Sequence, residues 1–187
     1  MRLFLAINLP AAVRSEAEAA TTLLRDTAPE LGWVHGARLH LTLKFFGDVE
    51  DARVDDIAAA VAGVAGQHRE FLLHLGGVDA FPNFRRARVV WLGVEQEPRL
   101  ELLHHDLELA FEAVGFEVEG RPFRPHLTLA RVKHALPEAR LRALSRAAKQ
   151  TDYRTDFVAR SIDLMSSELS HSGPTYRTVM SAALRSG

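Results

Sequence analysis

The chain has 187 residues, 47% of them apolar and 25% charged, which suits one globular domain or two small lobes sharing a core. Cysteine is absent, which excludes disulfides, thiolate zinc sites and a cysteine nucleophile. The formal net charge of −1 gives no bulk attraction to nucleic acid, and no apolar run reaches the length of a membrane span.

Residues 2–8 alternate Leu3, Leu5 and Ile7 against Phe4 and Ala6 and predict a strand buried on both faces. The run is too short for an export signal and meets Pro10, so a cytoplasmic location is the expectation. Residues 10–27 predict a helix with Pro10 in its first turn and Pro29 beyond its end. A β run over 39–46 precedes a helix from Asp51 to Val64, spaced by Val54, Ile57 and Val61. Strands Phe71 to Val78 and Arg88 to Val94 flank the turn-rich Phe81-Pro82-Asn83-Phe84. Leu100 to Val114 predicts a long helix ended by Gly115, and Phe116 to Val118 a short strand. A β run over 126–132, a helix from Pro137 to Lys149, and strands Tyr153 to Met165 and Thr175 to Ala183 complete the order. No Gly-, Pro- or Ser-rich linker divides the chain, so residues 1–187 are expected to form a single domain of two interlocked α+β lobes.

One tetrapeptide occurs twice, as His40-Leu41-Thr42-Leu43 and, 86 residues further on, as His126-Leu127-Thr128-Leu129. In a strand, His and Thr two apart share a face while both leucines point to the other. Each copy therefore offers an imidazole and a hydroxyl to a cleft and anchors them by two core residues. With 9 histidines, a single His-x-Thr would arise by chance roughly 0.4 times, so one copy means little. Two copies with matched leucines argue against histidines that are merely satisfied inside strands. Both copies lie in basic surroundings: residues 31–47 carry Arg38 and Lys44, and residues 120–137 carry Arg121, Arg124, Arg131 and Lys133, without an acid in either stretch.

Two histidines suit displacement at phosphorus, where a base takes a proton from the attacking oxygen and an acid gives one to the leaving oxygen. Imidazole titrates near neutrality, so one ring can be neutral while the other is protonated. Threonine hydroxyls and nearby cations can hold the non-bridging oxygens. A strained cyclic phosphate needs little further activation, so no metal is expected. A hydrolytic zinc site would want three protein ligands, and no histidine cluster completes one. No phosphate loop or dinucleotide fingerprint is present, so no nucleotide cofactor is expected. His104 and His105, adjacent on a helix, read as surface or packing residues, and His35, His68, His74, His134 and His171 as structural or solvated. The segment Phe81-Pro82-Asn83-Phe84-Arg85-Arg86 fits either an RNA contact by stacking and charge or a hinge loop with solvated arginines.

These motifs resemble the two-histidine (2H) phosphoesterase superfamily, and within it the RNA 2′,3′-cyclic phosphodiesterases also called 2′-5′ RNA ligases. The resemblance runs nearly the whole length. It is carried by Arg2-Leu3-Phe4-Leu5-Ala6-Ile7, His40-Leu41-Thr42-Leu43-Lys44-Phe45-Phe46-Gly47, Phe81-Pro82, Val89-Val90-Trp91-Leu92-Gly93, Phe123-Arg124-Pro125-His126-Leu127-Thr128-Leu129-Ala130-Arg131, Ser167-Glu168-Leu169 and Gly173-Pro174-Thr175-Tyr176. It implies an α+β fold of two pseudo-symmetric lobes, each an antiparallel sheet with outer helices, around a central cleft. It implies hydrolysis to a 2′-phosphate, with His40 protonating O3′, His126 activating water, and Thr42 and Thr128 on the phosphate. Arg131 and Phe45 match positions that hold phosphate and nucleobase, yet a regular strand would turn both away from the histidines. The reverse reaction would join a 5′-hydroxyl into a 2′-5′ linkage without a cofactor. The implied partners are RNA ends bearing the cyclic phosphate, tRNA fragments among them, met by a monomer away from membranes. Two other functions stay open: a module that grips phosphorylated RNA ends without chemistry, and a diesterase acting on cyclic ADP-ribose phosphates or 2′-5′ oligonucleotides.

Overall fold

The computed structural model describes residues 1–170 and 173–186; His171, expected to be structural or solvated, lies outside them. The chain begins with strand β1 (Arg2–Asn8), whose apolar residues are buried on both faces as their continuous run requires. Two helices follow where one is expected, α1 (Ala11–Ala20) and α2 (Thr22–Thr27). The break falls at Thr21 and Thr22, whose hydroxyls donate back to carbonyls of the preceding turn (2.8 Å to Ala17 O and to Ala19 O), a pairing that bends helices. A two-residue strand β2 (Gly32–Trp33) and a 3₁₀ turn at Gly36–Arg38, both too short to show periodicity, lead into β3 (His40–Asp48).

A second 3₁₀ turn (Asp51–Arg53) and helix α3 (Val54–Ala65) occupy the Ala-rich stretch. Strands β4 (Phe71–Phe81) and β5 (Val89–Val94) form a hairpin around the cis Phe81–Pro82 bond and a 3₁₀ turn at Phe84–Arg86. Helix α4 spans Pro98–Ala113, with Glu97 capping its start and Gly115 at φ 84° just beyond its end.

Residues 116–118 are not the strand their composition suggests. Side chains satisfy this backbone instead: Lys44 Nζ donates to Glu117 O at 2.9 Å, and Glu119 N donates to Glu108 Oε2 at 2.7 Å. Strand β6 (His126–Arg131) and helix α5 (Glu138–Gln150) follow as expected. The run expected as one strand from Tyr153 splits at Arg160 into β7 (Arg154–Ala159) and β8 (Ser161–Ser170), because the first pairs with β4 and the second with β1. Strand β9 (Gly173–Ala183) closes the order.

The main antiparallel path runs β7-β4-β5-β6-β3-β1-β8-β9, with β2 paired to β6. The two motif strands meet in the middle, and three further strands lie outward from each: β5, β4 and β7 beyond β6, and β1, β8 and β9 beyond β3. The inner set, β4 to β7, is contiguous along the chain, whereas the outer set draws β1 and β3 from one end and β8 and β9 from the other. The helices cross over. Helix α4, between two strands of the inner set, packs on α3 behind the outer set and reaches β3 through Glu108. Helix α2, between two strands of the outer set, packs on α5 behind β4. Leu41, Leu43, Leu127 and Leu129 are all buried in the continuous core beneath the sheet.

Candidate active site

The only bridge between β3 and β6 pairs Leu41 with Leu127. Extending that antiparallel register by one residue sets His40 against Thr128 and Thr42 against His126. The buried leucines point to one face, so His40 and Thr42 of one strand and His126 and Thr128 of the other stand together on the opposite face. Histidines and threonines together line a cleft of ≈ 650 Å³.

Beyond the threonines the strands change face at matching places. Leu5 pairs with Lys44 and Ala6 with Thr42, leaving Leu43 unpaired; Val90 pairs with Ala130 and Trp91 with Thr128, leaving Leu129 unpaired. These are β-bulges, which break the period of two and re-aim the next side chains. After each bulge a second consecutive residue is buried, Lys44 in one copy and Ala130 in the other, and the next is exposed, Phe45 and Arg131. Phe45 is 60% exposed, and both it and Arg131 line the cleft. The regular-strand expectation for these two residues is therefore corrected: the bulges bring them to the histidines' side.

The local setting of each histidine is the same. His40 Nδ1 lies 2.7 Å from Arg38 O and His126 Nδ1 lies 2.7 Å from Arg124 O. A carbonyl oxygen only accepts, so Nδ1 carries the hydrogen in both rings and Nε2 is left for chemistry. Aromatic rings wall the imidazoles. Phe4 and Tyr176 lie 4.9 and 5.4 Å from the His40 ring, and Phe81 and Trp91 lie 5.0 and 6.3 Å from that of His126. Burial lowers both histidine pKa values below 6.5; the carbonyl bonds oppose this, and the positive charge of Arg131 adds to it in both cases. Arg131 thus acts electrostatically on both rings.

Of the other cations in the basic stretches, Arg38, Arg121 and Arg124 line the cleft, whereas Lys133 does not. Lys44 is buried and neutralised by Glu108, at 2.7 and 2.9 Å, so it is a structural cation. Four arginines against the single carboxylate of Glu119 leave the cleft positive on a chain that is nearly neutral.

His104 stacks on Phe123 at 3.9 Å, the packing role expected of it. His68 and His74 bond Asp106 and Asp156, at 2.8 and 2.6 Å. Among the described residues no group of three or more His, Cys, Asp or Glu has the arrangement of a metal site. Sequence reasoning assigned no role to Phe4, Trp91 and Tyr176; strand neighbours cannot be known before the pairing is. It also overlooked that an arginine stands two residues before each histidine, a repeat visible in the sequence, whose carbonyls fix both rings.

A sequence profile of the 2′-5′ RNA ligase superfamily matches residues 9–170. The chain belongs to this superfamily. It is 33% identical to the RNA 2′,3′-cyclic phosphodiesterase of Methanothermobacter thermautotrophicus over 94% of this chain and 95% of that one. The crystal structure of the Thermus thermophilus protein TT0787 superposes with a TM-score of 0.80 at 30% identity, covering 100% of this chain and 99% of that chain. Escherichia coli LigT complexed with 3′-AMP gives a TM-score of 0.72 at 28% identity, over 98% and 97% of the two chains. The superfamily's mixed helix and antiparallel sheet is the α+β class the sequence implies.

Proposed function

We propose that this protein hydrolyses 2′,3′-cyclic phosphate ends of RNA, tRNA fragments among them, to 2′-phosphates by acid–base catalysis between His40 and His126, without a metal. One observation carries the reading: two histidines that line one positive cleft each have Nδ1 committed to a backbone carbonyl, which leaves Nε2 of both for proton transfer. In hydrolysis, His126 takes a proton from water as its oxygen attacks phosphorus, the P–O3′ bond breaks, and His40 gives its proton to O3′. The phosphate remains on O2′, and the two rings exchange protonation states and are reset by solvent. Thr42 and Thr128 donate to the non-bridging oxygens, Arg131 balances their charge, and Phe45 offers a face to the terminal base. Named relatives that are RNA 2′,3′-cyclic phosphodiesterases, and a relative holding 3′-AMP, support the choice of substrate.

The test is incubation of an RNA oligonucleotide ending in a cyclic phosphate with the protein and EDTA, resolving 2′- from 3′-phosphate. Accumulation of the 2′-phosphate is expected. Exclusive 3′-phosphate would reverse the assignment of leaving oxygen, and unchanged substrate would overturn the reading.

Two further results are expected. The productive free enzyme holds one proton on the histidine pair, so kcat/KM falls at low pH when both are protonated and at high pH when neither is. Because both pKa values lie below 6.5, the maximum of kcat/KM is expected below pH 6.5. The bound phosphate anion raises both, so the kcat profile shifts to higher pH; a kcat/KM maximum at pH 8 would contradict this. Thr42→Ala or Thr128→Ala is expected to lower kcat by up to about 10²–10³, with Ser at either position restoring most of it. Steady-state kinetics in which only KM moved would place the hydroxyls on ground-state binding alone.

A further inference from the structure

The turn from Asn83 to Arg88 is pinned by hydrogen bonds, and its aromatic and basic residues go different ways. Asn83 Oδ1 accepts from Arg85 N and Arg86 N, at 3.0 and 3.2 Å, which fixes the 3₁₀ turn. Arg88 N donates to Phe81 O at 2.8 Å, and Val132 N donates to Arg88 O at 2.9 Å, tying the turn to β4 and to the end of β6. Phe84 packs against the core, and what the segment offers outward is charge. Arg85, Arg86, Arg88 and Lys133 are all exposed around one groove of ≈ 370 Å³ whose lining contains no acid. None of the four takes part in an ion pair among the described residues.

The groove begins one residue past the cleft, at the ends of β5 and β6, and the two share no lining residue. Val89 and Arg131 are ladder partners that line the cleft, and the next residues along the same strands, Arg88 and Val132, line the groove. One strand step is about 3.3 Å and successive side chains take opposite faces, so a chain leaving the cleft over Arg131 turns around the ends of β5 and β6 to reach these cations. Unpaired cations on a fixed backbone, with no acid among them, fit a chain of phosphodiesters.

We infer that this groove is a second binding site, for the sugar-phosphate backbone of the nucleotides upstream of the reacting end. The inference rests on the proposed function, because only an RNA 3′ end seated at His40 and His126 has a chain to lay there. The groove makes the protein prefer long single strands to mononucleotides through binding, without touching the reacting phosphate.

The test uses the intact protein, a cyclic mononucleotide, and a single-stranded oligonucleotide of about a dozen residues with a cyclic phosphate end. The Arg85→Ala/Arg86→Ala/Arg88→Ala/Lys133→Ala variant, and separately the single exposed Arg85→Glu, are compared with wild type by turnover and by fluorescence anisotropy against salt. The slope of log affinity against log salt changes by about 0.7 for each single-strand phosphate contact, so losing four cations is expected to flatten it by about 2 to 3. Oligonucleotide kcat/KM falls with it, while mononucleotide turnover is unchanged. Unaltered oligonucleotide affinity and slope would overturn the inference and leave the face to an acidic protein partner. Loss of mononucleotide turnover as well would overturn the separation of groove from cleft. If wild type turned over neither substrate, the proposed function would fail, and anisotropy would still decide whether the groove holds RNA.

Discussion

Replacing either His40 or His126 by alanine is expected to lower kcat by roughly 10²- to 10⁴-fold and leave the fold intact. Each ring makes one hydrogen bond, to a carbonyl two residues earlier, and its remaining nitrogen holds up nothing in the sheet. The burial that fixes each strand comes from the leucines on the other face, all within 5% of full burial. The double variant is expected to be little slower than the worse single one, because acid and base act on the same proton transfers. Rates on a cyclic-phosphate RNA, with thermal melts to verify folding, decide it. Activity within a few-fold of wild type in either single variant would remove the acid–base pair from the reaction.

Glu108→Ala is expected to destabilise the protein by about 3–5 kcal/mol, because it strands a buried ammonium. Lys44 and Glu108 are each 7% exposed, and the pair also holds the backbone at Glu117 and Glu119. At about 2–4 °C per kcal/mol for a chain of this size, the loss is readily measured in a thermal melt. Lys44→Met/Glu108→Leu removes both charges and is expected to recover most of the stability, since well-packed apolar residues often replace a buried pair without loss. A Glu108→Ala melt within a degree of wild type would mean that water reaches the ammonium. The pair exists because of the bulge at Leu43, which turns Lys44 into the core while turning Phe45 out.

That bulge marks where sequence reading reached its limit. Alternation and the doubled tetrapeptide were enough to locate the motif strands, the helices and the two histidines, because a local period of two or of 3.6 carries its own signal. A bulge adds one residue and leaves no compositional trace in Leu43 or Leu129, so the side on which Phe45 and Arg131 stand became visible only with the ladder. The fate of residues 116–118 was equally hidden. Phe116 and Val118 look like strand residues, but their backbone partners are side chains of Lys44 and Glu108, remote in sequence. The change of partner at Arg160 is likewise a tertiary decision within a continuous β pattern. Gly93 is a smaller case: it stands opposite His126, and a Cβ there would lie 2.6 Å from Gly76 O, a contact no local pattern announces.

The single bridge between Leu41 and Leu127 has a consequence for how such a protein could arise. About that point the register is self-complementary, with the histidine of each copy facing the threonine of the other. A half-length ancestor carrying one motif would hold only half of a catalytic centre, and two identical chains meeting edge to edge about a dyad would complete it. Fusing such a pair would free the copies to diverge, one toward the exposed aromatic of Phe45 and the other toward the cation of Arg131. The inner strands are contiguous from residue 71 to 159 and the outer ones come from both ends, so the two sets differ in chain order and such a fusion would also have had to permute one copy.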